Sequence, residues 1–101
     1  MSKLSIKTGV KFEKDSVALG RILATLLTLD YVGEIVITAA SDGVHMAGSR
    51  HYYGEAIDIR SWNISDIGKF VTKLQTALGP KFSVLPEDDH IHIQVKKGQK
   101  Y

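Results

Sequence analysis

Polar and apolar residues alternate most regularly near the end of the chain, in His90-Ile91-His92-Ile93-Gln94-Val95. A strand sends successive side chains to opposite faces. His90, His92 and Gln94 therefore share one face, and Ile91, Ile93 and Val95 the other. A second run, Ala56-Ile57-Asp58-Ile59-Arg60, has the same period, with Ala56, Asp58 and Arg60 opposite Ile57 and Ile59. Pairing the two runs builds a sheet with an apolar face for a core and a second face that carries Asp58 and His92. Placing Asp58 beside His92 implies antiparallel pairing.

Other elements follow from the same reading. Leu4-Ser5-Ile6 and Val10-Lys11-Phe12 alternate briefly around Thr8-Gly9 and suggest a short strand or an extended arm. Asp15 or Ser16 offers an N-cap for a helix reaching to about Tyr31. Its apolar stripe is Val17, Ile22, Leu23, Leu26 and Leu29, at three- and four-residue spacing. Gly33 stands where a C-terminal cap is expected, and the β-branched run from Glu34 to Thr38 predicts a strand. After Arg60, Asn63 can cap a second helix with Asp66 in its first turn and a stripe of Ile64, Ile67, Phe70 or Val71, Leu74 and Leu78. Gly79-Pro80 ends that helix, because proline cannot continue it. Phe82 to Leu85 is a short strand, Pro86-Glu87-Asp88-Asp89 an acidic turn, and Lys96 to Tyr101 an unpatterned tail. Mixed helices and strands with an antiparallel element give the class α+β.

The chain has 101 residues, which suits one domain over residues 1–101 and leaves no room for a second module. It has no cysteine, so a metal site must use histidine and carboxylate. Asp58 lies inside an apolar alternation, and an unpaired buried carboxylate is costly. A cation held jointly with His92 and with His51, from the loop just before the strand, satisfies it. Two imidazoles and one carboxylate form a zinc set with a fourth position open.

Ser49-x-His51-x-x-Gly54-x-Ala56-x-Asp58 followed by His90-x-His92 resembles the zinc peptidases of bacterial cell walls. That group includes D-Ala-D-Ala carboxypeptidases and dipeptidases, the L-Ala-D-Glu endopeptidases of phage lysins, and the related hedgehog signalling domain. The resemblance covers roughly residues 35–95. It implies a small antiparallel sheet that carries the zinc site and packs against two helices. It also implies a Zn2+ cofactor on His51, Asp58 and His92, and hydrolysis of amide bonds in peptidoglycan stem peptides or cross-bridges. Many members place a glutamate three residues before the final histidine ligand, where this chain has Asp89. Others use the first histidine of His-x-His, here His90, to stabilise the oxyanion, with a partner several residues earlier that corresponds to Glu87. The expected catalytic set is therefore Asp89 as base, His90 as electrostatic helper and Glu87 as substitute base. Ser49 and Arg50 are the substrate-contact candidates. Tyr52, Tyr53 and Trp62 flank the motif as possible groove walls, a position that aromatic core or rim packing also explains.

Two departures bear on activity. Asp89 is one methylene shorter than glutamate. Relatives also carry an arginine soon after the strand that precedes the motif, where it holds a substrate carboxylate. This chain reads Thr38-Ala39-Ala40-Ser41-Asp42-Gly43-Val44-His45 there, and neither Arg50 nor Arg60 matches by position. That favours an endopeptidase over a D,D-carboxypeptidase. The same departures support the alternative, a catalytically silent zinc-binding domain that recognises a wall peptide or a protein partner.

The net charge of +2 and pI near 8.9 suit attraction to an anionic wall. Charge alone speaks for nucleic acid, with no basic block to support it, so a nucleic-acid partner is not expected. The apolar stretch Val17 to Leu29 contains Arg21 and is too short to span a bilayer, so no membrane insertion is expected either, and the chain is expected to be a monomer. The first residues show no secretory h-region or cleavage site. The expectation is synthesis in the cytoplasm without a signal peptide, with action on the wall after phage-type release or after loss of an unseen signal sequence.

Overall fold

A computed structural model describes residues 3–12, 16–40 and 55–96. Five strands and two helices run in the order β1 (Lys3–Ile6), α1 (Val17–Thr28), β2 (Glu34–Ala39), β3 (Ala56–Arg60), α2 (Ile67–Leu78), β4 (Phe82–Pro86) and β5 (His90–Val95). The strands form one sheet in the order β1-β2-β3-β5-β4. The class is α+β, as expected, but the sheet is mixed rather than antiparallel. β1 pairs with β2 in parallel, while β2–β3, β3–β5 and β5–β4 are antiparallel. A helix carries the chain from β1 back to the start of β2, which is the crossover that parallel pairing requires.

The period of two decides which face is buried. Ile35, Ile37, Ile57, Ile59, Ile91, Ile93 and Val95 from one face form a continuous core with Leu19, Ile22 and Leu26 of α1 and Phe70, Leu74 and Leu78 of α2. Fully burying each such side chain contributes about 1.5–3 kcal/mol. Lys3, Ser5, Val36, Thr38, Ala56, Asp58, His90, His92 and Gln94 alternate with the core positions and occupy the opposite face.

Ser16 caps α1, its hydroxyl accepting from the Leu19 amide at 3.0 Å. The helix ends at Thr28, three residues before Tyr31, because Leu29 is extended with ψ 139°. Leu29 nevertheless stays buried, so its apolar character signalled the core rather than another helical turn. Val17 is not on the buried stripe; it is 75% exposed, and Ala18 and Leu19 hold the inner positions. Gly33 does not cap the helix. Its φ of +148° sits just before β2, where an added Cβ would come within 2.9 Å of the Tyr31 hydroxyl, and its carbonyl accepts from Lys3 N. Residues 10–12 form no strand; Val10 and Phe12 instead pack partly buried against the core.

The cap of α2 is Asp66, whose carboxylate accepts from Lys69 N at 3.0 Å. Asn63 lies in a preceding turn closed by Ile64 N donating to Ser61 O, and its own amide donates to Glu34 O at 2.8 Å. Both residue types cap well, and the turn takes Asn63 for a bridge to β2. Gly79, with φ +93°, ends the helix. One side chain of α2 also finishes the sheet. The Gln75 amide donates to Phe82 O and Gly79 O, and its oxygen accepts from Val84 N. These contacts contribute about 1 kcal/mol each and occupy the outer edge of β4, where Pro86 has no N–H to offer.

Among the described residues, no helix is long and apolar enough to cross a membrane.

Candidate metal centre

β3 and β5 bring the two described ligand candidates together. Asp58 and His92 are direct partners in the antiparallel register, as are Arg60 and His90, and Ala56 and Gln94. Asp58 is only 9% exposed, and its Oδ1 accepts from His92 Nδ1 at 2.9 Å. The other ring nitrogen of His92, Nε2, lies 2.6 Å from Gln94 Oε1. Two oxygen acceptors around one imidazole favour the doubly protonated ring. The hydrogen bond to Asp58, followed by that to Gln94, raises the His92 pKa above its ordinary value of 6.5, against the opposing effect of burial.

The β4–β5 hairpin sets the second pair. Glu87 N donates to His90 O at 2.8 Å and closes the acidic turn. Asp89 Oδ1 accepts from His90 Nδ1 at 2.7 Å. That hydrogen bond, with the imidazole's charge, holds the exposed Asp89 carboxyl below its ordinary range. His90 then turns Nε2 toward Asp58 Oδ1, at 3.8 Å. Asp58, Asp89 and His90 border a cavity of about 260 Å3, whose walls are completed by Lys7, Thr38, Arg60 and Trp62.

No protein family, curated protein or solved structure matches the chain.

His51, the third expected ligand, and Ser49 and Arg50, the expected substrate contacts, lie outside the described residues, as do Gly54, Tyr52 and Tyr53. Among the described residues, no group of three or more His, Cys, Asp or Glu side chains is disposed to hold a metal ion. The donor chemistry of Asp58 and His92 fits zinc. The pair is joined by a hydrogen bond of 2.9 Å and would have to open to hold a metal ion. The proton between them is what a metal would replace. Glu87 closes the hairpin through its backbone, and Asp89 is joined to His90. Lys7 and Arg60 are cavity walls; the sequence raised Arg60 only as an arginine without a positional match, and Lys7 not at all. Arg60 was legible from its shared face with Asp58, whereas Lys7 arrives from the far end of β1 and had no local signal.

The raised proton affinity of His92 gives opposite pH responses with and without metal. In chelated protein the folded-state pKa lies above the unfolded one. The Asp58–His92 contribution is then complete below the ordinary imidazole value and is lost as pH rises through the folded value. Were zinc held by His92, the proton would compete with the metal, and acidification would release zinc starting at a pH above that expected for an unperturbed imidazole. Thermal melts across pH 5–9, with and without chelator, should show these opposite slopes. At neutral pH the chelated form should melt lower, because a metal bound only by the folded state stabilises it by mass action.

Proposed function

We propose that this protein is a zinc-dependent peptidase that hydrolyses amide bonds in peptidoglycan stem peptides or cross-bridges, with internal bonds preferred over a terminal D-Ala. The observation that carries the reading is the direct pairing of Asp58 with His92 on the sheet face opposite the helices, beside the Asp89–His90 pair. His51, Asp58 and His92 would hold the metal. When bound there, zinc supplies Lewis acidity toward the scissile carbonyl and lowers the pKa of water from about 15.7 to about 7.

The chain's own groups supply the rest. A general base must take a proton from the attacking water and return one to the leaving amine. Asp89 and His90 are joined at 2.7 Å and share this role as a pair, with His90 Nε2 on the cavity side. A cationic His90 also stabilises negative charge that develops on the carbonyl oxygen. Glu87, two residues before Asp89 on the same turn, is the substitute base.

A second reading has its own observation. Asp89, standing where a glutamate base is expected, is tied to His90 at 2.7 Å, which suits a catalytically silent zinc-binding domain that recognises a wall peptide or a protein partner. Digestion of defined muropeptides with and without chelator separates the two. The expected result is chelator-sensitive release of fragments cut within the stem or cross-bridge. Release of free D-Ala alone overturns the endopeptidase preference, and no release at all leaves the binding reading.

A further inference from the structure

The two margins of the sheet differ. At β4, Phe82 O and Val84 N are already bonded to the Gln75 side chain. At β1, the amides of Lys3 and Lys7 donate inward to Gly33 O and Ile37 O, each at 2.9 Å. Alternate residues of a parallel strand bond to the same neighbour, so Leu4 and Ile6 turn their N–H and C=O groups away from β2, to the open side. Side chains along this margin divide by face. Leu4 and Ile6 register with Ile35 and Ile37 on the core face, yet Ile6 remains 56% exposed. Above them, α1 packs over β1. Arg21 and Thr25 of that helix face α2 across a shared groove. Leu23 and Leu27, about half a turn further round, therefore stand on the flank above the β1 margin. Leu27 is exposed and Leu23 only partly buried, so the core is left unfinished at this margin. On the other face stand Lys3 and Lys7, both exposed, and among the described residues neither side chain forms an ion pair.

We infer that the β1 margin is a docking edge for an extended segment of another protein in which acidic and apolar residues alternate. Such a segment adds a strand to the sheet, a recognition mode in which main-chain hydrogen bonds give affinity and alternate side chains give specificity. Its backbone exchanges hydrogen bonds with Leu4 and Ile6. Its apolar side chains close over Ile6, Leu23 and Leu27, and its acidic side chains stand opposite Lys3 and Lys7. The pattern that fits is acidic-apolar-polar-apolar-acidic, because Lys3, Ser5 and Lys7 share one face and Leu4 and Ile6 between them share the other. The same charges argue against a second copy of this chain. Pairing β1 with itself about a two-fold axis at Ser5 sets Lys3 directly opposite Lys7 of the other copy, and like charges in that position are destabilising. Lysine on an open edge guards against self-pairing, and here it also selects a partner of opposite charge. No group assigned to metal binding or proton transfer takes part, so the inference stands apart from the peptidase reading.

The test titrates the full chain, isotope-labelled for NMR, with the end-capped peptide Glu-Val-Thr-Val-Glu. Two controls accompany it: the peptide Lys-Val-Thr-Val-Lys, and the acidic peptide with both valine amides N-methylated. In antiparallel addition the valines lie opposite Leu4 and Ile6 and exchange both bonds with them. Saturable binding of the acidic peptide is expected, with hydrogen exchange slowed at the Leu4 and Ile6 amides and little changed at Lys3 and Lys7, whose amides are already bonded. The N-methylated peptide should not bind, and the lysine peptide should bind roughly tenfold more weakly or not at all. The double variant Lys3→Glu, Lys7→Glu should reverse that preference, a result that loss of folding does not imitate. Equal binding of acidic and basic peptides, undiminished binding of the N-methylated one, or protection that misses Leu4 and Ile6 overturns the docking edge. A concentration-dependent dimer that protects these amides without any peptide assigns the edge to a second copy and overturns the proposal as well.

Discussion

His92→Ala should lose stoichiometric zinc and, with it, all measurable hydrolysis. The substitution removes one of only two described donors, and it is the donor whose ring nitrogen faces Asp58 at 2.9 Å. Elemental analysis of purified protein reads the metal directly, and retention of one zinc per chain would remove the site as drawn. The same variant separates binding from folding. Asp58 is buried to 9% exposure, so losing its imidazole partner should destabilise even chelated protein by about 1–3 kcal/mol. Denaturant midpoints taken in chelator measure that cost without any contribution from metal. A variant with full stability and no zinc would mean that the Asp58–His92 pair serves metal binding alone.

Asp89→Asn should leave zinc bound and lower turnover by roughly a hundredfold to ten-thousandfold, the usual range for loss of general acid–base catalysis. The amide keeps the shape of the carboxylate but no longer holds a cationic His90 by charge. His90→Ala should fall in the same range, because Asp89 and His90 form one hydrogen-bonded unit and deleting either member disables it. Glu87→Gln should cost far less, and Asp88→Asn almost nothing. If Glu87 carries the proton, the Asp89 and Glu87 results exchange places. Four variants matching a wild type that itself hydrolyses nothing would leave the binding-domain reading in possession of the site.

The strands at the site were the most legible part of the sequence, because a period of two fixes orientation without reference to anything distant. The alternation in His90–Val95 gave the buried isoleucines, the polar face and the Asp58–His92 pairing together. Helix boundaries were less legible. Leu29 and Tyr31 prolong an apolar pattern that the backbone abandons at Leu29, since a residue can reach the core from an extended linker as well as from a helix. Asn63 and Asp66 are equally good caps, and only the contact of Asn63 with Glu34, 29 residues away, decides between them. The parallel direction of β1 had no sequence signature, because four residues of alternation pair equally well either way. Lys7 was hidden for the same reason: it enters the cavity only after β1 has docked on β2. Ser49, Arg50 and His51 lie outside the described residues, so that part of the expected site rests on the motif.

The Gln75 side chain has a consequence for how copies of this protein meet. Endless head-to-tail stacking through sheet edges needs two open edges per molecule, one to receive and one to offer. Here the β4 edge has its free amide and carbonyl taken by a side chain from α2, and only β1 at the opposite margin ends the sheet without such a cover among the described residues. A molecule with one open edge can terminate a stack but cannot extend it. Growth through the β4 edge is therefore disfavoured, because a single amide on a helix already occupies two groups that an incoming strand would need.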